Sequence, residues 1–271
     1  MKSPFPRLRT ALGDAALSAQ AHDVPLGGYA SLAPLARFKK VLARPAVVIG
    51  LFVLAGFAAL GLDMQIAAAV RYGNANDFLA KLCDLAEVFA HGVGVTVILA
   101  IAYVLDPRRR ADTVRVGTVA LSAGLAANLL KMTVARMRPN YFLDGTSVSD
   151  SFAGWLPGVF AGSSAQSFPS GHAATAVAFA LGLAWMYPRG ARIFAALAVL
   201  ASVDRVLKGH HFASDVFWGG ALGYGVASVV LHMPLLPVVG PFTLRLFRAE
   251  EAASVETTSD KRQTVPIRRA A

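Results

Sequence analysis

Residues 169–187 read Pro169-Ser-Gly-His172-Ala-Ala-Thr-Ala-Val-Ala-Phe-Ala-Leu-Gly-Leu-Ala-Trp-Met-Tyr187. A polar tetrapeptide opens onto an uncharged apolar run, and Tyr-Pro-Arg-Gly closes it as a turn. The pattern predicts a membrane helix that starts at a polar site, since a span needs about 20 mostly apolar residues, fewer with snorkelling flanks. Working outward, further apolar runs occupy Ala46–Leu62, Leu85–Leu105, Val114–Leu130, Ala191–Val203 and Val216–Leu236. The expected fold is therefore an all-α integral membrane bundle of about six transmembrane helices. The run from Pro45 follows a polar lead too long for a signal peptide and reads as a retained first span. Residues 1–44 are expected to be a cytoplasmic segment, 45–240 the membrane domain, and 241–271 a polar, disordered cytoplasmic tail.

Composition agrees. Of 271 residues, 55% are hydrophobic and only 15% charged, against about 25% charged in soluble domains. The mean hydropathy is +0.53. The net charge of +10 sits in short clusters between apolar runs. That spacing fits positive-inside loops and argues against nucleic acid as a partner. Cys83 is the single cysteine, so an internal disulfide is impossible and a cysteine zinc site is unsupported.

Lys and Arg near the helix ends set the orientation. With both termini cytoplasmic, Arg37, Lys39, Lys40, Arg44, Arg108, Arg109, Arg110, Arg115, Arg189, Arg192, Arg245 and Arg248 share the inner side. Fewer basic residues, among them Lys131, Arg136, Arg138 and Arg205, fall outside. The long outer loop Pro139–Pro169 is of the kind that carries function.

Three segments border that outer face. In Lys131-Met-Thr-Val-Ala-Arg-Met-Arg138-Pro139, the two end cations are about two helical turns apart and are expected on one helix face. Pro169-Ser170-Gly171-His172 offers a helix N-terminus, whose free amides and dipole attract anions. In Arg205-Val-Leu-Lys-Gly-His-His211-Phe-Ala-Ser-Asp215, the imidazole and carboxylate lie one helical turn apart. The chain crosses the membrane twice between the second and third segments, so all three reach one face.

That set suits phosphoryl transfer, whose transition state spreads charge over three equatorial oxygens. Lys131, Arg138 and Arg205 are expected to clamp those oxygens, and Ser170 and Gly171 to complete the cradle. His211 is expected to attack phosphorus with Asp215 orienting its ring. His172 is expected to protonate the leaving oxygen and later activate water.

The three segments resemble the signature motifs of the type-2 phosphatidic acid phosphatase superfamily, which includes membrane lipid phosphatases and soluble vanadium haloperoxidases. Lys131–Pro139 matches the first motif, Pro169–His172 the second and Arg205–Asp215 the third. The resemblance implies a phosphohistidine intermediate, no required metal or other cofactor, a six-helix core, and an active site on the non-cytoplasmic side. One position departs: the family usually has Ser before the third-motif Arg, where this chain has Asp204. A carboxylate there can pair with Arg205 and weaken its hold on phosphate, or it can face away.

Taken singly, several residues have plainer readings. Lys131 and Arg138 resemble interfacial anchors, and Glu87 and His91, four apart inside a span, a structural pair. Asp144 and Asp150 read as solvated loop residues, and Phe152, Trp155 and Phe160 as interface anchors. His210 adjoins His211 but does not fit the motif spacing.

The joint reading is a plasma-membrane lipid phosphatase. Polyprenyl pyrophosphate, phosphatidate, phosphatidylglycerol phosphate and lipid A phosphates all fit such a pocket. Vanadate-dependent oxidation and a non-catalytic phosphate-lipid binder or transporter are the alternatives. The apolar spans weigh against the first, and the intact His172, His211 and Asp215 against the second.

Overall fold

A turn at Gly61-Leu62 breaks the first apolar run. Helix α1 (Pro45–Leu60) starts with proline at its first position, where a missing N–H costs nothing. Helix α2 (Asp63–Tyr72) continues at 67° to it. The computed structural model describes residues 44–73, 76–141, 147–157 and 162–232. The cytoplasmic N-terminal segment, the polar tail, the last residues of the sixth run, Asp144 and Phe160 lie outside the described residues.

The second run is also broken. Asn76 caps α3 (Asp77–Ala86) by accepting from Phe78 N at 3.0 Å and Leu79 N at 3.1 Å. A single turn at Glu87–Phe89 follows, and α4 (Gly92–Leu105) departs at 66° with His91 as its N-cap. The expected straight span Leu85–Leu105 is thus two pieces, with Glu87 and His91 at the break.

Helix α5 (Arg110–Lys131) is continuous. Past it the expected helix to Arg138 does not form. The β-branched Thr133 and Val134 enter strand β1 (Val134–Arg136), which pairs antiparallel with β2 (Phe152–Trp155) and is irregular at Ala135/Arg136. This hairpin qualifies the all-α expectation. Helices α6 (Gly171–Met186), α7 (Ala191–Leu207) and α8 (Ala213–His232) complete the described fold.

Small residues set the packing. A Cβ on Gly219 would stand 2.4 Å from Ser170 O, and one on Gly223 2.2 Å from Ala174 O. These glycines, four apart, let α8 lie backbone-close against the start of α6. Asp215, one turn before Gly219, is thereby brought to the Pro-Ser-Gly-His segment. A core of Phe89, Val116, Phe179, Leu183, Met186 and Ala201 joins α4–α7, with the Phe89 and Phe179 ring centroids 4.7 Å apart.

Large apolar side chains cover the outside of the bundle, among them Leu54 on α1, Ile101 on α4, Leu121 and Leu125 on α5, and Ile193 on α7. Such a surface is costly in water and natural in a bilayer, so the chain is an integral membrane protein. The expectation of six spans is met only in part. Among the described residues, two helices (Pro107–Lys131 and Ala213–His232) are long and apolar enough to cross, or up to four if each bent pair is one span. Arg109 stacks over Tyr187 at 5.2 Å, so the basic turns after α4 and α6 meet at one end of the bundle. The three motif segments gather at the other.

Candidate active site

The start of α6 is the centre of the site. Ser170 is its N-cap, accepting from Ala173 N at 3.3 Å. The Ser170 amide donates to Asp215 O at 3.0 Å. The Ser170 amide is therefore occupied, while its hydroxyl, an acceptor in the cap, keeps its own O–H to donate; with the first-turn amides of Gly171 and His172 it makes up the open donors of this terminus. Lys131 ends α5 nearby, its Nζ 3.9 Å from where a Gly171 Cβ would sit.

Arg138 reaches the same region by a different route from the expected helix face. Its backbone N–H donates to Ser164 O at 2.8 Å, and its guanidinium is half-buried. Its Nε is a buried nitrogen with no hydrogen-bond partner. A buried donor left open is costly and points to a ligand. Burial, with repulsion from Arg205, lowers the pKa of this guanidinium against the opposing pull of Tyr141 and Asp215.

His211 lies in the α7–α8 loop, almost fully buried, while the adjacent His210 is half-exposed. Its Nδ1 is 2.6 Å from Ser167 O. A carbonyl only accepts, so the proton sits on Nδ1 and the lone pair is left on Nε2. Burial first, then the charges of Lys131 and Arg138, hold its pKa well below the usual histidine value. The ring is thus neutral near pH 7.

Asp215 was expected to hold this ring directly. The carboxylate stops 4.0 Å from His211 Nδ1. Its Oδ2 instead accepts from Ser167 Oγ at 2.6 Å and Phe212 N at 3.0 Å, and its Oδ1 from Arg136 Nη1 at 2.6 Å. Sequence reasoning missed Arg136, Asp63 and Ser167. All three are fully buried. Removing one member of such a buried ion pair leaves an uncompensated charge, at a cost of about 3–5 kcal/mol. Phe152, expected as an interface anchor, stacks at 4.7 Å on the Arg136 guanidinium.

His172 Nε2 is 3.4 Å from Arg205 Nη1 and 3.9 Å from Glu87 Oε1. Arg205 does pair with Asp204: Nε donates to Asp204 Oδ2 at 2.9 Å, and Nη2 reaches the same oxygen. Arg205 Nη2 is also 2.7 Å from Glu87 Oε1. The expected Glu87–His91 pair is thus replaced by Glu87 with Arg205 and Lys208. Lys208 Nζ sits among Asp84 at 2.5 Å, Glu87 at 2.7 Å and Asp204 at 3.2 Å. Burial opposes the ammonium, but the three carboxylates raise its pKa. The acidic trio is the described group with metal-ligand spacing, and the lysine ammonium already stands within it.

The arrangement brings together two imidazoles, one of them buried and neutral, three cations and an open helix N-terminus. Residues 112–236, which include all three motif segments, match the family described as PAP2 superfamily. A lipid A 1-phosphatase of Rhizobium johnstonii is 39% identical over 135 residues, 46% of this chain and 52% of that protein. The lipid A 1-phosphatase of Rhizobium etli is 35% identical over 139 residues, 48% and 57%. The chain thus spans about half the length of these two curated relatives. A decaprenylphosphoryl-5-phosphoribose phosphatase of Mycobacterium tuberculosis is 30% identical over 154 residues, 56% of this chain and 78% of that protein. A solved transmembrane PAP2-type phosphatidylglycerolphosphate phosphatase from Bacillus subtilis covers 69% of this chain and 94% of its own, with TM-score 0.49 and 21% identity.

Proposed function

The chain belongs to the PAP2 superfamily, and from that premise we propose that it is a membrane phosphatase hydrolysing a lipid phosphate monoester or pyrophosphate. One observation carries the reading. The buried, unpartnered Arg138 Nε and Lys131 stand beside a neutral His211 whose Nδ1 faces a carbonyl. Cations keep an anion there, and the free Nε2 lone pair is available to attack it.

In the proposed reaction, His211 Nε2 forms a bond to phosphorus as the bond to the leaving oxygen breaks. His172, which takes up a proton as the anionic substrate draws Arg205 away from its Nε2, gives that proton to the leaving oxygen. Lys131, Arg138 and Arg205, with the first-turn amides of α6, stabilise the charge on the equatorial oxygens. Water, activated by His172, then hydrolyses the phosphohistidine and releases phosphate.

A lipid substrate fits the surroundings. An apolar groove of about 570 Å³, lined by Phe52, Val177, Val199 and Phe217 among others, shares Ile66, Val70, Val206, Leu207 and Ala213 with a smaller pocket that includes His211. It offers room for a hydrocarbon chain. Lipid A 1-phosphate is the first substrate to assay, given the names of the two relatives, followed by polyprenyl phosphates and pyrophosphates, phosphatidate and phosphatidylglycerol phosphate. The same reading makes residues 45–240 the phosphatase domain, between a cytoplasmic segment and a cytoplasmic tail. It puts the site on the outer side of the plasma membrane, away from Arg108, Arg109, Arg110, Arg189 and Arg192. The experiment is phosphate release by the detergent-purified chain over that panel without added metal; no release from any member overturns the proposal.

Two predictions arise from the geometry. Because the pKa of His211 is lowered, its neutral form persists as pH falls through the ordinary histidine value of about 6.5. The rate of enzyme phosphorylation by p-nitrophenyl phosphate, whose leaving group needs no proton, should therefore stay level from about pH 7.5 to about pH 6. Loss of half the rate near pH 6.5 contradicts this.

Asp204→Ser removes one of two carboxylates that compete with phosphate for Arg205. The inhibition constant for inorganic phosphate should fall by about three- to tenfold, tenfold corresponding to about 1.4 kcal/mol. An unchanged constant would show that the Asp204 pair does not compete with the ligand.

A further inference from the structure

We propose that Arg136, locked in place by Asp63, is a positioning residue that fixes the nucleophile of this phosphatase indirectly, through Asp215 and Ser167. The inference rests on the phosphatase reading above.

The chain of contacts is continuous. Arg136 Nη2 donates to Asp63 Oδ2 at 2.7 Å, and Nη1 to Asp215 Oδ1 at 2.6 Å and Ser214 Oγ at 2.8 Å. Its Nε donates to Ser151 Oγ at 3.1 Å. Asp63 in turn accepts from Ser214 N at 3.0 Å and Ser214 Oγ at 2.5 Å. The guanidinium plane is packed by Phe152 at 4.7 Å and Phe212 at 4.3 Å. It has one orientation open to it, set by α2, β2 and α8 together.

From Asp215 the constraint passes to Ser167. The Ser167 hydroxyl donates to Asp215 Oδ2 at 2.6 Å, and its backbone N–H donates to Arg136 O at 2.9 Å. Both ends of Ser167 are thus tied to the Arg136–Asp215 pair. Its carbonyl is the group that receives the His211 Nδ1 proton at 2.6 Å. Asp215, 4.0 Å from that nitrogen, reaches the ring by way of Ser167. A buried ion pair is often no better for stability than well-packed apolar residues. Its placement here, one residue removed from the attacking ring, gives it work that an apolar substitute cannot do. Asp63 lies outside residues 112–236, so this device reaches beyond the segment that the family match covers.

Three variants of the full chain test this, each purified in detergent. Assays use lipid A and p-nitrophenyl phosphate, with wild type and His211→Ala alongside. The double variant Asp63→Asn with Arg136→Gln removes both charges of one pair and leaves the Asp215 carboxyl buried without its cation. It should melt below wild type, while in the folded protein kcat falls about 100-fold and KM changes less than about threefold. Arg136→Lys keeps the charge but not the planar fork and should recover part of that loss. Ser167→Ala keeps the carbonyl and removes only the tether to Asp215; kcat should fall about tenfold with KM unchanged. If the double variant folds with kcat near the wild-type value, the positioning role is overturned. If it does not fold, Ser167→Ala decides, and an unchanged kcat there overturns the role. A wild-type chain that releases no phosphate from p-nitrophenyl phosphate or from any lipid of the panel above overturns the phosphatase reading, and this inference with it.

Discussion

His211→Ala should lower phosphate release from whichever lipid of the panel the wild type hydrolyses by at least about 10⁴-fold, to the background of the assay. The variant loses the proposed nucleophile, whose Nδ1 proton faces the Ser167 carbonyl and leaves the lone pair on Nε2. It keeps Lys131, Arg138, Arg205 and the open turn of α6. Binding should therefore survive the loss of chemistry, and inorganic phosphate or vanadate should still raise the melting temperature of the variant. Turnover and binding lost together would indicate a collapsed pocket. Turnover retained would remove His211 from the mechanism.

His172→Ala should have the second-largest effect, and its size should depend on the leaving group. With lipid A, whose departing oxygen needs a proton, kcat should fall by about 10²–10⁴-fold. With p-nitrophenyl phosphate, whose phenolate leaves unaided, enzyme phosphorylation should fall far less. The physical basis is position. His172 is the second residue of α6, with Nε2 3.4 Å from Arg205. Equal losses with both substrates would assign His172 a role in binding and not in proton transfer. The relevant measurement is the ratio of the two losses, taken at saturating substrate.

Much of the candidate site was legible because its residues lie in short local patterns. The four-residue step from His211 to Asp215 chose His211 over His210, and the structure buries the chosen ring. Asp204, a departure from the family pattern that could pair with Arg205 or face away, pairs with it. Local patterns fail where a contact depends on distant segments. Asp63 is 151 positions from Ser214, and only the break between α1 and α2 aims it at the motif face. Its signal was a carboxylate close after an apolar run, which is itself grounds for suspicion in a membrane protein. Arg136 was counted as an outer-face cation. The irregularity at Ala135/Arg136 separates it from Arg138 and turns it into the protein.

The helix expected from Lys131 to Arg138 failed for a local reason. Thr133 and Val134 favour extended backbone, and β2 was available to pair with it. Glu87 was assigned to His91 on helical spacing that the 66° bend then removed. The bend aims Glu87 at Arg205 and Lys208, groups more than a hundred positions away. Continuous apolar runs located the helices, but they did not show where each helix breaks, because Gly61 and His91 break the helices without breaking the hydropathy.

The central claim is that the phosphoryl group passes through a covalent bond to His211. The direct measurement is to mix the full chain in detergent with radiolabelled phosphate substrate, quench in alkali within one turnover, and map the label by mass spectrometry. The account predicts a label on His211 that survives alkali, is lost in acid, disappears on chase with unlabelled substrate, and is absent from His211→Ala. A label on another residue, or none while turnover continues, would contradict it.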